Sequence, residues 1–379
     1  LSASFTLIHN GIPSHKIKIL EAKDRIGGRV SKEVDFFPEF PVENGPNFVL
    51  NPSWINQIVG DDYKLSLVSA DGSPDTPQFI SEGKAPIFFN SSYWDFFNDY
   101  IAPKDPEVVQ LGCTVTLVDY RTANGENGKV KVQCANGETF VADHVIVTVS
   151  LAILQDNDIR FRPPAAVDQI AKSHPCKMFD GIKFIMEFNT NFFPYARCPP
   201  LGPCLDFQGE NLYFDYTSAS PPLANGNSVM GGYIVGDLAT PYVHLEDEAI
   251  LDVILEKLEV EYSGLARSSF VRGHIKNWSK DPFVKGAHSS CAYGRYHKHL
   301  RGALSIRDKI WIAGEAFPPS KWYGWVDSGA FSGDDAAKQI LLSSEGTSVS
   351  TALFWRRVYE ALSIDKRWQW KRGPFSPEN

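Results

Sequence analysis

Residues 21–30, EAKDRIGGRV, bring together an acid, two adjacent glycines and two arginines. Glu21 closes the apolar run KIKILEA (16–22), with Ala22 behind it, and Arg25, Gly27, Gly28 and Arg29 follow directly. These residue types suit the holding of a nucleotide. An acid at a strand end binds ribose hydroxyls, glycines let the backbone approach phosphates, and a guanidinium neutralises them with paired hydrogen bonds. In a dinucleotide-binding βαβ unit the helix before that strand points its N-terminus at the pyrophosphate. Helix, strand and acid are all readable here, and taken alone they fit an ordinary α/β pair as well.

The elements that must position these groups follow from the pattern. Residues 3–10 read as a helix ended by Gly11, and KIKILEA as a buried strand. Residues 31–60 read as loop and short helix, and 70–88, rich in Pro, Gly, Ser and Asp, as a linker or domain crossing. Residues 113–149 are strand-rich, with Ala135-Asn136-Gly137 marking a hairpin turn. Segments 179–188 and 228–236 read as further strands, 245–262 as an amphipathic helix, 309–316 as a short buried strand, and 329–343 as a helix with a glycine-rich first turn.

The bulk composition narrows the function classes. A chain of 379 residues has room for two domains, and a net charge of -8 argues against a nucleic-acid partner. No apolar run approaches the ~20 residues of a membrane span, and no signal peptide is visible. The cysteines Cys113, Cys134, Cys176, Cys198, Cys204 and Cys291 show no metal-ligand spacing, so no metal site is expected. Cys198 and Cys204 bracket PPLGP, which suits either a small disulfide loop or two unpaired thiols. Asn90 and Asn277 match the glycosylation pattern, and these features give a slight lean toward the secretory pathway, with the compartment otherwise unknown. The tail 346–379, with its basic, aromatic stretches FWRRVYEAL and RWQWKR, suits either a partner protein or membrane surface, or packing back on its own domain.

The stretch EAKDRIGGRV resembles the second signature of the flavin amine oxidase family, which includes monoamine, polyamine and L-amino-acid oxidases. The resemblance continues in VENGPNFVLNPSW (42–54), LGCTVTLVDY (111–120), DHVIVTVSLAILQ (143–155) with IRFRPP (159–164), NWSKDPFVKGAHS (277–289) and IWIAGEAFPPSKWYGWVDSGAFSGDDAAKQI (310–340). It implies an α/β fold: an FAD-binding Rossmann-like (GR2-type) domain from 1–60, 105–150 and 265–345, with a shortened α+β substrate domain on an antiparallel sheet from 61–104 and 151–264. In the family a GxGxxGL signature precedes the first helix, so the expectation is that the glycine turn and first strand lie just upstream of Leu1.

By this resemblance Glu21 takes the adenosine ribose, Gly27, Gly28 and Arg29 lie along the pyrophosphate, Ala22 and Arg25 are further cofactor-binding residues, and Val115 contacts the adenine through its backbone. Trp278 falls in the stretch near the flavin ring, and Gly314 and Glu315 near the ribityl chain. Gly324, Val326 and Ala330 fall in the C-terminal flavin signature, with the Val326 amide toward the flavin carbonyl edge. Lys183 matches the lysine that holds a water at the flavin, and Trp325 and His288 flank the substrate; these three are the expected catalytic residues. The implied reaction is FAD-dependent oxidation of a small amine by O2, through an imine to an aldehyde, with hydrogen peroxide as co-product.

The chain also departs from the pattern. Leu50 stands where plant polyamine oxidases carry a glutamate, GPNFV lacks a carboxylate-binding arginine, and His288 replaces an aromatic. Only a short segment joins NPSW to LGCTV, where a helical part of the substrate domain is usual. Two readings follow: a polyamine-oxidase-like enzyme, or a non-catalytic relative serving as a binding or structural subunit.

Overall fold

The computed structural model describes residues 1–37, 42–46, 55, 58, 66–68, 87–89, 92–123, 128–193, 205–206, 212–215, 223–291, 303–319 and 323–343. Leu50, Asn90, Cys198, Cys204 and the tail from 346 lie outside them. The expected opening is present. Helix Ser2–His9 leads through a turn to strand Ile19–Leu20, which pairs in parallel with Val109–Gln110. The pairing runs on past the strand: Glu21 donates its N–H to Gln110 O at 2.9 Å, and Cys113 donates to Glu21 O at 2.9 Å.

Helix Ser2–His9 buries small polar residues, Ser2, Ser4 and Thr6, rather than large apolar ones. They allow close approach to helix Val326–Ser343, where Thr6 Oγ1 donates to the buried Asp334 Oδ1 at 2.7 Å. That second helix starts earlier than the glycine-rich pattern suggests, so Val326 is its first residue.

Strand Val145–Val147 pairs in parallel with Ile310–Ile312, which pairs antiparallel with Leu304–Ile306. Beside it, a sheet orders Arg160–Arg162, Val115–Asp119, Val130–Cys134 and Thr139–Ala142. The expected hairpin turn is there, with Gly137 at φ +89°. One apolar cluster joins the two sheets, with Val118, Val132, Val147, Phe161, Ile310 and Ile312 at its centre. A disulfide links Cys113 to Cys134, a pairing their spacing did not single out.

The second region is an antiparallel sheet in the order Leu205–Asp206, Leu212–Asp215, Ser228–Val235, Gly181–Phe188, Phe270–Asn277. Strand Phe270–Asn277 falls in the stretch grouped above with the nucleotide-binding part. Its backbone partners are instead those of Gly181–Phe188, so it belongs with the antiparallel sheet. Helix Asp247–Glu261 covers one face with Ile250, Ile254, Leu255 and Leu258. Each such buried side chain contributes up to about 1.5–3 kcal/mol.

Gly181–Phe188 is buried along its whole length, and its side chains alternate between two different environments. Ile182, Phe184, Met186 and Phe188 pack in the cluster under the helix. Lys183, Ile185 and Glu187 point the other way, and this parity aims Lys183 at the cavity described below.

Asn277 does not fit a glycosylation site. It is 8% exposed, and its Nδ2 donates to Val243 O at 2.7 Å. Among the described residues no helix is long and apolar enough to cross a membrane, and no cluster of His, Cys, Asp or Glu could hold a metal ion.

Candidate active site

A cavity of about 1360 Å³ runs between the nucleotide-type elements and the antiparallel sheet. Fifteen of the sixteen residues expected at the site line it: Glu21, Ala22, Gly27, Gly28, Arg29, Val115, Lys183, Trp278, His288, Gly314, Glu315, Gly324, Trp325, Val326 and Ala330. Arg25 is the exception. Its guanidinium turns back to donate to Ile26 O at 3.1 Å and Gly28 O at 2.9 Å. It braces the glycine turn, because the turn's own carbonyls point at it.

At the nucleotide end, the Glu21 carboxylate accepts the Lys23 N–H at 2.9 Å, which fixes its direction just past the strand. Gly27 has φ +100°, and a Cβ there would stand 2.4 Å from Val30 O, so conformation and space both require glycine. Arg29 Nη1 donates to Glu315 Oε1 at 2.8 Å and to Ala287 O at 2.9 Å. Glu315 also accepts the Ser289 N–H at 3.1 Å and the Ser289 hydroxyl. Burial pushes Glu315 up, but Arg29 and the Ser289 hydrogen bonds outweigh it and hold the carboxyl below its ordinary range.

At the other end, Lys183 is 2% exposed. The register sets it opposite Tyr233, whose ring centre is 5.6 Å from Nζ. Burial lowers Lys183 to about 7, against the opposing pull of Glu43. Glu43 is 5% exposed and accepts the Tyr93 N–H. Burial pushes it up to about 8, despite that hydrogen bond and the positive charge of Lys183.

His288 and Trp325 line the same cavity. The turn at Gly324 brings the Trp325 segment against His288, since a Cβ on Gly324 would stand 3.0 Å from His288 Nδ1. The His288 segment is tied to the start of the lysine strand: Phe179 N donates to His288 O at 2.9 Å, and Ala287 N to Phe179 O at 2.8 Å. Gly181 then meets Ala287 so closely that a Cβ would lie 2.2 Å from the alanine Cβ. Trp278 is buried, with Nε1 donating to Asn44 O at 2.7 Å.

Sequence reasoning missed Glu43 and Tyr233. Glu43 lies in a stretch already noted for its resemblance, VENGPNFVLNPSW, but its burial is not written there. Tyr233 lies on a recognised strand, but only the register brings it to Lys183. The antiparallel ladder of Val42–Glu43 with Lys32–Glu33, inside a region read as loop and short helix, positions the acid.

The family model for flavin-containing amine oxidoreductases matches residues 1–86 and 95–341. Polyamine oxidase 2 of Arabidopsis thaliana is 24% identical over 237 residues, which is 62% of this chain and 46% of that protein. The chain spans about half the length of the curated relatives it matches. Among solved structures, cyclohexylamine oxidase from Brevibacterium oxydans superposes with a TM-score of 0.63 at 15% identity, covering 91% of this chain and 97% of that one. Wild-type putrescine oxidase bound to putrescine gives a TM-score of 0.64 at 14% identity, covering 90% and 96%. The fold, the order of the motifs along the chain and the extent of the family match agree: this chain belongs to the flavin-containing amine oxidoreductase family, whose cofactor is FAD.

Proposed function

We propose that this protein is an FAD-dependent oxidase of a polyamine-like amine, converting it through an imine to an aldehyde with release of hydrogen peroxide. The observation that carries this reading is one cavity that joins a nucleotide-type end to a buried lysine beside Tyr233 and is also lined by His288 and Trp325.

The residues fit FAD. The cavity exceeds the roughly 300–1,000 Å³ of drug-sized pockets, as a dinucleotide requires. Glu21 would hold the adenosine ribose. The open backbone at Gly27 and Gly28, with Arg29 beside it, would receive the pyrophosphate. The N-terminus of helix Val326–Ser343 would place its first amide and its partial positive charge toward the flavin carbonyl edge. FAD supplies the hydride acceptor and, through its reoxidation, the reaction with oxygen.

The chain's own groups do the rest. The largely apolar surroundings disfavour an ammonium, so the substrate amine loses its proton on entry and can give up a hydride. Trp325 and His288 flank it. Lys183 offers a nearby cation or water ligand, which favours reduction of oxygen to an anion. Relatives named polyamine oxidase support an amine with more than one nitrogen.

The first test is the visible spectrum of the purified natural protein, followed by a screen of di- and polyamines with peroxide detection. Flavin absorption with peroxide release from an amine is expected. A colourless protein that takes up no added FAD would overturn the oxidase reading and leave that of a binding subunit.

A further inference from the structure

His174 does not line the cavity, but it bonds segments that do or that flank those that do. It caps the C-terminus of helix Ala165–Ser173 and is 7% exposed. Its ring makes one hydrogen bond at each nitrogen: Nε2 lies 2.8 Å from Ala316 O, and the Cys176 N–H donates to Nδ1 at 3.2 Å. A carbonyl can only accept and an amide N–H can only donate. Both contacts therefore hold in just one form of the ring, neutral with its proton on Nε2. Phe317 and Tyr323 meet the same ring edge to face, at 5.0 Å and 6.4 Å between centres.

These contacts reach Glu315 by two routes. Ala316 follows Glu315 directly, and the Glu315 carboxylate takes Arg29 and Ser289. Strand Cys176–Met178 pairs antiparallel with Ser289–Cys291, which sets Met178 opposite Ser289. The ring thus joins the backbone beside Glu315 to the strand whose partner donates to Glu315. Tyr323, further along the chain, precedes Gly324 and Trp325 and lines the cavity with them.

Among the described residues, Glu315 is the charged group that acts on the ring, and it is itself bonded to Arg29. Lys172 and Lys177, on either side in the sequence, are exposed. Cys176 is disulfide-bonded and does not titrate, and Tyr323 presents its ring. Burial lowers the imidazole below its ordinary value, against the pull of the Ala316 carbonyl and of Glu315.

We propose that His174 is a positioning residue for the cofactor site, a clasp that closes only while its ring is neutral, so that acid opens it and loosens the hold on flavin. A proton added at Nδ1 would face the Cys176 N–H, donor against donor, in a buried place, and that contact must break. The clasp stands on the chain's own groups. Its effect on flavin rests on the reading of Glu315 and its neighbours as part of the FAD site.

Two readouts separate the clasp from its use. The first follows the imidazole of His174 by nitrogen NMR and the hydrogen exchange of the Cys176 amide across a pH series. At neutral pH the ring should carry its proton on Nε2, and as it protonates the Cys176 amide should lose about tenfold in protection, after correction for the intrinsic rate. The second is flavin dissociation from the natural holoprotein in the same buffers, which should speed by about tenfold across that midpoint. His174→Gln offers a donor and an acceptor that do not titrate. It should hold flavin within about threefold of the natural protein at neutral pH and lose the acid step. His174→Phe keeps the ring packing but neither hydrogen bond, and should release flavin about tenfold faster at neutral pH, again without the acid step. A neutral ring with its proton on Nδ1, or an acid step unchanged in folded His174→Gln, would overturn the clasp. Should neither variant fold, the tautomer and the Cys176 protection of the natural protein decide. Lost protection with flavin release unchanged would overturn the role in cofactor binding. A protein that takes up no flavin but shows the same protonation-linked loss of protection would instead count against the FAD reading of the site.

Discussion

The two ends of the cavity use the same residue types to opposite effect. At the nucleotide end, Glu315 is ringed by Arg29 and the Ser289 donors and is held ionised. At the sheet end, Glu43 receives one N–H donor, and burial tips it toward its neutral form. A carboxyl given fixed partners becomes a permanent charge that organises a binding surface. A carboxyl given almost none becomes a group whose proton can come and go. The cations divide likewise, with Arg29 bonded to carboxylate and carbonyl, and Lys183 lowered to about 7 by burial.

The strongest way to break this contrast is at Gly27. Gly27→Ala places a Cβ against the backbone oxygen of Val30 in a left-handed conformation. The strain, on the order of 1–3 kcal/mol before the clash, should reduce flavin retention by about a hundredfold, read as flavin-to-protein ratio after gel filtration. Normal flavin content in this variant would remove the glycine turn from the cofactor site. Next in size, Lys183→Met should slow flavin reoxidation by about a hundredfold in stopped flow while leaving flavin content unchanged. Loss of flavin instead would place Lys183 on the binding side of the comparison.

Glu315→Gln should be milder. Losing one charged partner of Arg29 costs about 1.5–3 kcal/mol, seen as roughly ten- to hundredfold weaker FAD binding by fluorescence titration, with little change in reoxidation. Gly28→Ala should be milder still: its φ is +61°, but the added Cβ meets nothing within 4 Å. A loss of about 1 kcal/mol in thermal or denaturant unfolding is expected, and an effect as large as that at Gly27 would contradict the spatial reading.

The smallest effect concerns stability against pH. Folded Glu43 keeps its proton up to about 8, above its unfolded value, so it contributes stability at low pH that is lost as pH rises through about 8. Folded Lys183 is lowered to about 7, so its penalty is full below that pH and is relieved as pH rises toward the ordinary lysine range. Lys183→Met should therefore raise Tm, by about 2 °C in mildly acidic buffer and less in alkaline buffer. An equal or lower Tm in acid would show that the lysine is not held against its hydration.

Much of this was legible in the sequence because it is local. The run from Glu21 to Arg29 is shaped by its own backbone, and a helix, a strand end and a positive-φ glycine all leave marks within a few residues. The type of Arg25 says guanidinium but not direction, and in the structure the carbonyls of its own turn bond it. The pairing of residues 270–277 with Gly181–Phe188 was not legible, because pairing across some ninety residues of chain is a property of register, not of pattern. Glu43, Tyr233 and the Cys113–Cys134 bond were hidden for the same reason: each depends on which distant strand or loop arrives beside it.

The contact between Gly181 and Ala287 limits how this protein can change over generations. With 2.2 Å between a notional Cβ on one and the methyl of the other, the pair has room for a single methyl group. A lineage can enlarge position 181 only after position 287 has become glycine, so the two sites should drift together or not at all. The spacing between the lysine strand and the histidine loop is inherited as one unit, and diversification of substrate must come from the other walls of the cavity. Gly181→Ala alone should fold poorly, and Ala287→Gly added to it should restore expression of soluble protein. Failure of that rescue would mean that the two positions evolve independently.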